Sequence, residues 1–465
     1  MKPIRVFFQK TVPRDLAVVV VELREQKTTD VLELSSGQRV IRLGVEDFKK
    51  VNRRKLILLF RRVIALARTN RAKKISISLN DFTFAHLALK SQDLAELAAT
   101  NFEMANFEFI KYKTKPKDGW NFIEEVYLQG VESRDSQEGF KRGQVIGEEV
   151  NKTRALANTP GGEMPPKLLA QAAREAARGT KIKVKILGKG EIKKLGMGGV
   201  LGVAQGSDED PQFIILEYFG AVKSEKPTVL VGKGVTFDTG GLNLKPSAYI
   251  YEMHMDMSGG AAVIHTVALA ARLGLKINVV GLVPAVENMP SGSSYRPGDL
   301  LKSMSGKTIE VLDTDAEGRI ILADALTYAQ KFYSPRLVVD IATLTGSAAG
   351  ALGERASAIF TPDENLEKKF RALGEISGDY VWPLPLWEEY EEEVKGTFGD
   401  WANVGKTRYG GAITAAVFLW QFIKESKVPW VHIDMAPRMT SIEGEYLSKG
   451  AAGAPVRLLI KLLEQ

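Results

Sequence analysis

From about residue 160 onward, short apolar runs of the kind that form buried strands alternate with longer segments of helical periodicity. The candidate strands are KVKIL, FIILEYF, TVLVGKGVTF, NVVGLVPAV, RLVVDIATL and WVHIDMA. The candidate helices lie near 163–178, 258–273, 319–332, 411–424 and 450–463. Continuous apolar strands alternating with helices predict a mostly parallel central sheet flanked by helices. In such a sheet, ligands bind where the carboxyl ends of the strands meet the loops that follow.

Residues 1–135 show a more mixed pattern, which predicts a smaller N-terminal α/β domain. The runs IRVFF, LAVVVVEL and KISISL are typical of strands, and NFEFIKYK is expected to be extended. Residues 45–69 and the run QDLAELAAT have helical spacing. These residues carry no catalytic motif, so the N-terminal domain is predicted from its pattern alone.

Residues 136–160 predict a linker helix between two domains. Their helical periodicity runs into NTPGG at 158–162, a cluster of residues that stop helices. Residues 161–465 then form the larger C-terminal domain. A chain of 465 residues is long for one core, so an α/β fold with two domains is expected.

Composition favours a globular protein that has no contact with a membrane. Apolar residues make up 45% of the chain and charged residues 26%. No apolar run reaches the roughly 18 residues that a bilayer span needs. The longest candidate, AAVIHTVALAARLGL, is interrupted by His265 and Arg272 and predicts a buried helix. The basic N-terminus has too short an apolar core for a signal peptide, so a cytoplasmic location is expected.

Cysteine and histidine usage narrows the possible chemistry. The chain has no cysteine, which excludes disulfides, thiolate zinc sites and cysteine nucleophiles. It has four histidines and no HExxH motif, so a metal site would have to use carboxylates. His265 is expected to be a core residue and His254 the polar partner of a strand end.

The net charge of +7 is confined to the N-terminal part of the chain. Residues 1–140 contain 25 Lys and Arg against 18 Asp and Glu, and the remaining residues contain 38 of each. The run KKVNRRKLILLFRR at 49–62 contributes strongly to this excess. It fits either a solvated helix face or a surface that binds a polyanion such as nucleic acid.

The stretch VLDTDAEGRIILADAL at 311–326 places three acids directly before a helical pattern. Asp313, Asp315 and Glu317 fall within five residues, and the helix is expected to begin near Glu317 or Gly318. One acid is enough to cap a helix, a contribution of about 1 kcal/mol. Three acids repel one another, and a divalent cation would relieve that repulsion. The cluster alone fits either a metal site or an elaborate cap.

Two further segments place charged residues beside glycines, where the backbone can approach an ion closely. Residues 231–247 contain Lys233, Asp238 and Lys245, and residues 253–263 contain Asp256. With Asp315 and Glu317 of 311–326, Asp238 and Asp256 would supply four carboxylates. Such oxygen-rich sites suit Mn²⁺, Mg²⁺ or Zn²⁺. Four carboxylates can bridge two ions about 3.5–4 Å apart, as in two-metal hydrolases.

The combined motifs resemble the leucyl (cytosol) aminopeptidase family. They are VGKGVTFDTGGLNLKP, MDMSGGAA, VENMPSGSSYRPGDLLKSMSGKTIEVLDTDAEGR and DIATLTGS, with VAQGS and ANVGKTRYGGAITAA in support. The resemblance extends from ANTP at 157 to KGAAGAPVRLL near the C-terminus. It implies a metal-dependent exopeptidase that removes the N-terminal residue of peptides.

The resemblance also implies a role for each matching residue. One ion of a zinc or manganese pair would be held by Lys233, Asp238, Asp256 and Glu317. The other would be held by Asp238, Asp315 and Glu317, so that Asp238 and Glu317 bridge the pair. Lys245 would polarise the scissile carbonyl. Arg319 would hold a bicarbonate ion that acts as general base for the metal-bridging water.

Further expectations follow from the same resemblance. Met253, Thr343, Leu344 and Gly346 match residues that line the pocket for the N-terminal side chain, which favours apolar residues such as leucine. The substrate would be a peptide with a free N-terminus. The family commonly assembles as a homohexamer, and the same assembly is expected here.

One departure and three competing interpretations accompany this reading. Asp313 stands where the family usually has asparagine, which predicts stronger metal retention or a shifted pH optimum. GDWANVGKT at 399–407 is superficially similar to a phosphate-binding loop, but its glycine spacing is one residue too long. A two-metal phosphoesterase is an alternative activity, and nucleic-acid binding by the N-terminal domain is an alternative role.

Overall fold

The structure is a computed structural model that describes residues 3–222 and 224–465. The chain divides into two compact units. Unit 1 contains the described residues up to Asn151 together with Ser441–Gly450. Unit 2 contains Lys152–Thr440 and Ala451–Gln465, so the division falls inside a long helix and a C-terminal segment returns to unit 1.

The strands of the described residues are β1 (Arg5–Phe8), β2 (Val18–Glu25), β3 (Asp30–Glu33), β4 (Arg39–Val45), β5 (Lys74–Ser78), β6 (Glu125–Gln129), β7 (Lys183–Leu187), β8 (Gln212–Phe219), β9 (Thr228–Gly232), β10 (Gly234–Asp238), β11 (Asn278–Asn288), β12 (Leu300–Lys302), β13 (Thr308–Glu310), β14 (Leu337–Ala342), β15 (Ser357–Phe360), β16 (Val381–Pro383), β17 (Trp401–Ala402) and β18 (Trp430–Asp434).

The α-helices of the same residues are α1 (Arg53–Thr69), α2 (Ser91–Asn106), α3 (Arg134–Ala157), α4 (Pro166–Ala177), α5 (Lys189–Lys194), α6 (Gly198–Val203), α7 (Ser247–Ile250), α8 (Ser258–Arg272), α9 (Glu317–Tyr333), α10 (Gly346–Leu352), α11 (Glu364–Ser377), α12 (Gly411–Trp420) and α13 (Val456–Leu463). None of these helices combines the length and hydrophobicity that crossing a bilayer requires.

In the described part of unit 1, six strands form one sheet in the order β1-β6-β5-β2-β4-β3. All neighbours are parallel except β3 and β4. Alternate residues of the strands, such as Val19 and Val21, are buried with the apolar side of α1. The segment NFEFIKYK, which was expected to be extended, forms no strand: Asn106 ends α2, Phe107 has extended backbone, and the next strand is β6.

Part of the basic run at 49–62 is engaged within unit 1. Asn52 caps α1 by accepting from the Lys55 N–H. The buried Arg61 donates from Nε to Asn101 Oδ1 at 2.8 Å. Arg62 donates to Thr29 Oγ1 at 2.9 Å. These arginines therefore serve packing within the unit, which favours the structural interpretation for this part of the run.

Unit 2 is built on a large sheet in the order β16-β15-β18-β14-β9-β11-β8-β7, with β10 also paired to β11. The central pairs from β18 to β11 are parallel, and antiparallel pairing occurs at β15 with β18 and at β7, β8 and β11. The prediction of an α/β fold with a mostly parallel central sheet is therefore confirmed. Buried residues of α8 and α9 contribute to the core beside this sheet.

Several element boundaries differ from the predictions for physical reasons. The run TVLVGKGVTF is divided at Lys233, whose N–H bonds to Ile341 O before β10 continues beside β11 alone. The last helix begins at Val456 instead of residue 450, because Gly453 adopts a left-handed conformation and Pro455 precedes the helix. Helix α12 ends at Trp420 rather than 424.

A small sheet of β12, β13 and β17 lies outside the main one. Strands β13 and β17 are parallel and pair Ile309 with Trp401. Glu310 reinforces this sheet, since its Oε2 accepts from the N–H groups of Thr397, Phe398 and Gly399 at 2.6, 2.8 and 3.2 Å. These backbone hydrogen bonds, led by that from Phe398, lower the pKa of Glu310.

Candidate metal centre

The charged residues selected from the sequence lie at the carboxyl ends of central strands and at the starts of two helices. Lys233 follows β9, and Asp238 ends β10. Asp256 precedes α8, and Glu317 is the first residue of α9, as the sequence predicted for this helix. Parallel strands end at one edge of the sheet, so these side chains come together although they lie far apart in the chain.

Lys233 is the buried centre of one half of the cluster. Its Nζ lies 2.6 Å from Asp256 Oδ2 and 2.7 Å from Glu317 Oε1. It also donates to the main-chain oxygen of Thr343 at 3.0 Å. Gly318 lies against the Lys233 side chain and leaves room for it, because a Cβ at this position would be 2.7 Å from Lys233 Cε.

Lys245 occupies the other half of the cluster. Its Nζ lies 2.8 Å from Asp238 Oδ2 and 2.5 Å from Asp315 Oδ1. The turn that carries it depends on Gly240, whose φ of +87° is the left-handed region that glycine tolerates best. Carboxylate oxygens of Asp238, Asp315 and Glu317 lie within 4.8 Å of one another. The structure thus brings the four predicted acids and both lysines into one cluster.

Burial and mutual repulsion perturb the acids strongly. Burial raises the pKa of Asp256 well above its ordinary value. Burial, with the charges of Asp238 and Glu317, raises the pKa of Asp315 to about 7. Burial would raise the pKa of Glu317 as well, but Lys233 and Lys245 outweigh it and lower that pKa. The cluster therefore holds more acidic than basic side chains, and either protons or bound cations can balance the excess.

Burial acts on the lysines in the opposite direction, but the nearby carboxylates outweigh it. Burial lowers the pKa of Lys233, but the charges of Asp256 and Glu317 outweigh burial and raise it. The same balance, led by Asp238, raises the pKa of Lys245. In the protein alone, both amines are therefore held as ammonium ions between the carboxylates.

Two side chains that sequence reasoning missed hold the acids in place. Asn288 donates from Nδ2 to Asp238 Oδ1 at 2.8 Å and to Thr314 O at 2.9 Å. Tyr295 donates its hydroxyl to Thr314 O at 2.7 Å. Asn288 is the last residue of β11, so a polar residue at the end of a buried strand was the signal available in the sequence.

Of the four predicted pocket residues, one contacts an acid of the cluster and the others are close to cluster residues in the chain. Thr343 contacts it directly, because its hydroxyl donates to Asp256 Oδ1 at 2.6 Å. Leu344 and Gly346 follow it in the chain, and Met253 lies three residues before Asp256 on a short 3₁₀ helix. Thr343 therefore orients an acid of the cluster, a contact that the sequence did not indicate.

Arg319 lies beside the cluster on the first turn of α9. Its Nη1 donates to the main-chain oxygen of Asn403 at 2.7 Å. Its Nε is buried and has no acceptor among the described residues. Burial lowers the pKa of Arg319 to about 10, against the opposing charge of Glu317, so the guanidinium stays positive at neutral pH. A buried cation with an unused donor is suited to an anion.

The remaining sequence features have structural explanations. Asp313 accepts the Asp315 N–H on Oδ1 at 2.8 Å and so shapes the acidic turn. The loop at 397–399, whose last residue is the first of the GDWANVGKT motif, donates its N–H groups to the Glu310 carboxylate. His265 is buried within α8, and burial lowers the pKa of His254.

Comparison with known proteins identifies the relatives of this chain. The family description "Cytosol aminopeptidase family, catalytic domain" matches residues 151–460. A probable cytosol aminopeptidase of Aromatoleum aromaticum is 46% identical over 359 residues, which cover 77% of this chain and 70% of the relative. One from Roseiflexus castenholzii is 42% identical over 409 residues, covering 86% of this chain and 83% of the relative.

A solved structure shows the same architecture. The bottromycin maturation enzyme BotP in complex with Mn is 29% identical to this chain and superimposes with a TM-score of 0.85. The match covers 96% of this chain and 99% of the BotP chain.

Proposed function

This chain belongs to the cytosol aminopeptidase family, and we propose that it is a di-metal aminopeptidase that removes the N-terminal residue, preferably an apolar one such as leucine, from peptides. Family membership supports the peptidase activity. The observation that supports the metal-dependent mechanism is the convergence of four acids and two lysines on one buried cluster.

The donor set fits a pair of divalent cations. Asp256 Oδ2, Asp315 Oδ1 and Glu317 Oε1 are buried, and each lies within ion-pair distance of a lysine. None of these three oxygens accepts a well-directed hydrogen bond from the described residues. Such oxygens could ligate an ion that takes over from their contacts with the lysines, and Asp238 and Glu317 could each offer oxygens to two ions. A bound zinc or manganese pair would supply a nucleophilic water at neutral pH and polarise the peptide carbonyl.

Lys233 has a specific requirement as a ligand. The amine can coordinate an ion only when neutral, whereas the acids hold it protonated in the protein alone. An incoming ion therefore competes with a proton at Nζ, and the proton must be released. Thr343 O, which accepts from the same Nζ at 3.0 Å, keeps the amine directed at the acids in either state.

Lys245 retains its proton in this proposal and acts on the substrate. Its ammonium ion is positioned by Asp238 and Asp315, which are also proposed ligands. A carbonyl oxygen that becomes negative during attack would thus meet a preorganised positive charge. Such a donor typically contributes about 10²–10³ in kcat.

Arg319 is proposed to bind a bicarbonate ion. The buried Nε without an acceptor supports an oxyanion at this place, and the planar guanidinium matches one geometrically. Bound bicarbonate would supply a general base, a role for which the described residues of this cluster include no histidine. Met253, Thr343, Leu344 and Gly346 are proposed to line the pocket for an apolar N-terminal side chain. Assembly into a homohexamer and a cytoplasmic location are proposed from membership of the cytosol aminopeptidase family.

The activity can be tested directly on purified protein. We expect hydrolysis of leucine anilide in the presence of Mn²⁺ or Zn²⁺, no hydrolysis of a phosphate ester, and two metal ions per chain by elemental analysis. An N-acetylated leucine anilide is the matched control, because the proposal requires a free amino group. Cleavage of the phosphate ester without cleavage of leucine anilide would establish the phosphoesterase alternative instead.

A further inference from the structure

Asn403 lies where two parallel strands of the small sheet end side by side. Strand β17 leads into Asn403, and β13 leads into the acidic turn at 312–316. The N–H of Asn403 continues this pairing by donating to Glu310 O at 3.0 Å. Its side chain is fully buried, so strand pairing places a buried amide directly beside the turn that carries Asp315.

The side-chain amide of Asn403 uses both of its ends on that turn. Its Oδ1 accepts from Leu312 N at 2.8 Å and from Asp313 N at 3.3 Å. Its Nδ2 donates to Asp313 O at 2.6 Å and to Ala316 O at 3.3 Å. One side chain thus accepts from two N–H groups and donates to two carbonyl oxygens of the turn; a carboxylate has no hydrogen to donate, and a hydroxyl has only one.

The main chain of the same residue holds Arg319. The carbonyl oxygen of Asn403 accepts from Arg319 Nη1 at 2.7 Å, while Arg319 Nε has no acceptor among the described residues. Asn403 therefore joins the turn that carries Asp315 to the guanidinium that lies beside the cluster.

We propose that Asn403 is a positioning residue for the reaction, because its amide anchors the backbone whose carbonyl oxygen directs Arg319 toward the reacting centre. This inference rests on the proposed function. In this proposal Asn403 acts through Arg319 and not by contact with substrate or ion. It also gives the motif GDWANVGKT a role in this chain that is unrelated to phosphate binding.

The test replaces the side-chain amide of Asn403 with a carboxylate of nearly the same size. Asn403→Asp keeps an acceptor for Leu312 N but turns an oxygen toward Asp313 O and Ala316 O, so the backbone of residue 403 must shift. With Mn²⁺ saturating, we expect kcat on leucine anilide to fall roughly 10- to 100-fold, the effect of a displacement near 1 Å. KM and two ions per chain should be retained. Asn121→Asp is the control, since Asn121 is an exposed amide that donates to Arg68 O in unit 1.

A double-mutant cycle separates positioning of Arg319 from general support of the fold. We expect Asn403→Asp to lower kcat less than about threefold when Arg319 is already alanine. Equal losses in both backgrounds, a kcat within twofold of the parent, or a kcat loss that follows loss of metal would each overturn the proposal. If Asn403→Asp does not fold, Asn403→Ala is measured in the same cycle with the same criteria.

A crystal structure of Asn403→Asp provides a readout that does not depend on turnover. The distance from the oxygen of residue 403 to Arg319 Nη1 should exceed 3.5 Å, and an unchanged 2.7 Å would overturn the proposal. Failure of the parent protein to cleave leucine anilide would contradict the proposed function itself. The two failures are therefore distinguishable.

Discussion

Gly318→Ala should impair the metal centre while leaving the fold intact. Gly318 is the second residue of α9, and an added Cβ would lie 2.7 Å from Lys233 Cε, 2.9 Å from Cδ and 3.0 Å from Nζ. Ordinary contacts between carbon atoms are about 3.5–4.0 Å. The end of the Lys233 side chain must therefore move by about 1 Å. It cannot move freely, because Asp256 and Glu317 hold its ammonium ion.

The substitution affects folding stability and turnover separately. Replacing glycine by alanine in a helix stabilises the protein by at most about 1 kcal/mol, and less near a helix end. A displacement of about 1 Å in a catalytic group costs roughly 100-fold in rate, equivalent to about 2.7 kcal/mol in the activation barrier. We therefore expect kcat to fall by roughly two orders of magnitude with little change in Tm.

The assay combines turnover with metal analysis. Leucine-anilide kcat is measured at saturating Mn²⁺, the metal-to-protein ratio after dialysis, and Tm on metal-free protein. Loss of one of two ions is expected, because Lys233 is a proposed ligand of only one. Gly350→Ala is the matched control, since Gly350 lies in α10 and a Cβ there meets nothing within 4 Å.

The control should gain helix stability and keep the parent's kcat. If Gly318→Ala also kept the parent's kcat and both ions, Lys233 would not be a ligand as proposed. A large fall in Tm would instead show that the clash is absorbed by the backbone of α9.

Of three further predictions, two concern charged residues of the cluster and one concerns the buried Glu103 of unit 1. Asp315→Ala and Lys245→Ala should both lower turnover by at least about 100-fold, but only the first should lower metal content; equal metal losses would contradict the assigned roles. Asp313→Asn keeps an oxygen for the Asp315 N–H, so it changes mainly charge, and it should weaken metal retention or shift the pH optimum; unchanged values of both would refute this. Burial raises the pKa of Glu103 from 4.5 to about 7, so folded protein binds more protons than unfolded protein between these values, and stability should fall by up to about 3 kcal/mol as pH rises through that window. Glu103→Gln keeps the acceptor for Ile4 N and should remove this dependence, as denaturation curves between pH 4 and 9 would show; parallel curves for parent and variant would exclude it.

The local pattern was sufficient for most elements of unit 2. Continuous apolar runs and helical periodicity are properties of neighbouring residues, and the six candidate strands all appear in the structure. The start of α9 at Glu317 was also predicted, because an acid before an apolar helical pattern is a local signal. The family and its peptidase activity, read from the motifs, are confirmed by the comparisons. The ligand, base and pocket assignments stay predictions.

The sequence alone determined the fold class, the family and which acids are available, since composition, periodicity and motif spacing are all written along the chain. Tertiary structure decided which groups meet. Asn288 reaches Asp238 across 50 residues, Thr343 reaches Asp256 across 87, and Asn403 reaches Arg319 across 84. These contacts depend on strand order and register, which arise from pairing between distant segments. No pattern among neighbouring residues encodes such pairings, so only the folded chain reveals the amides and hydroxyls that hold the cluster.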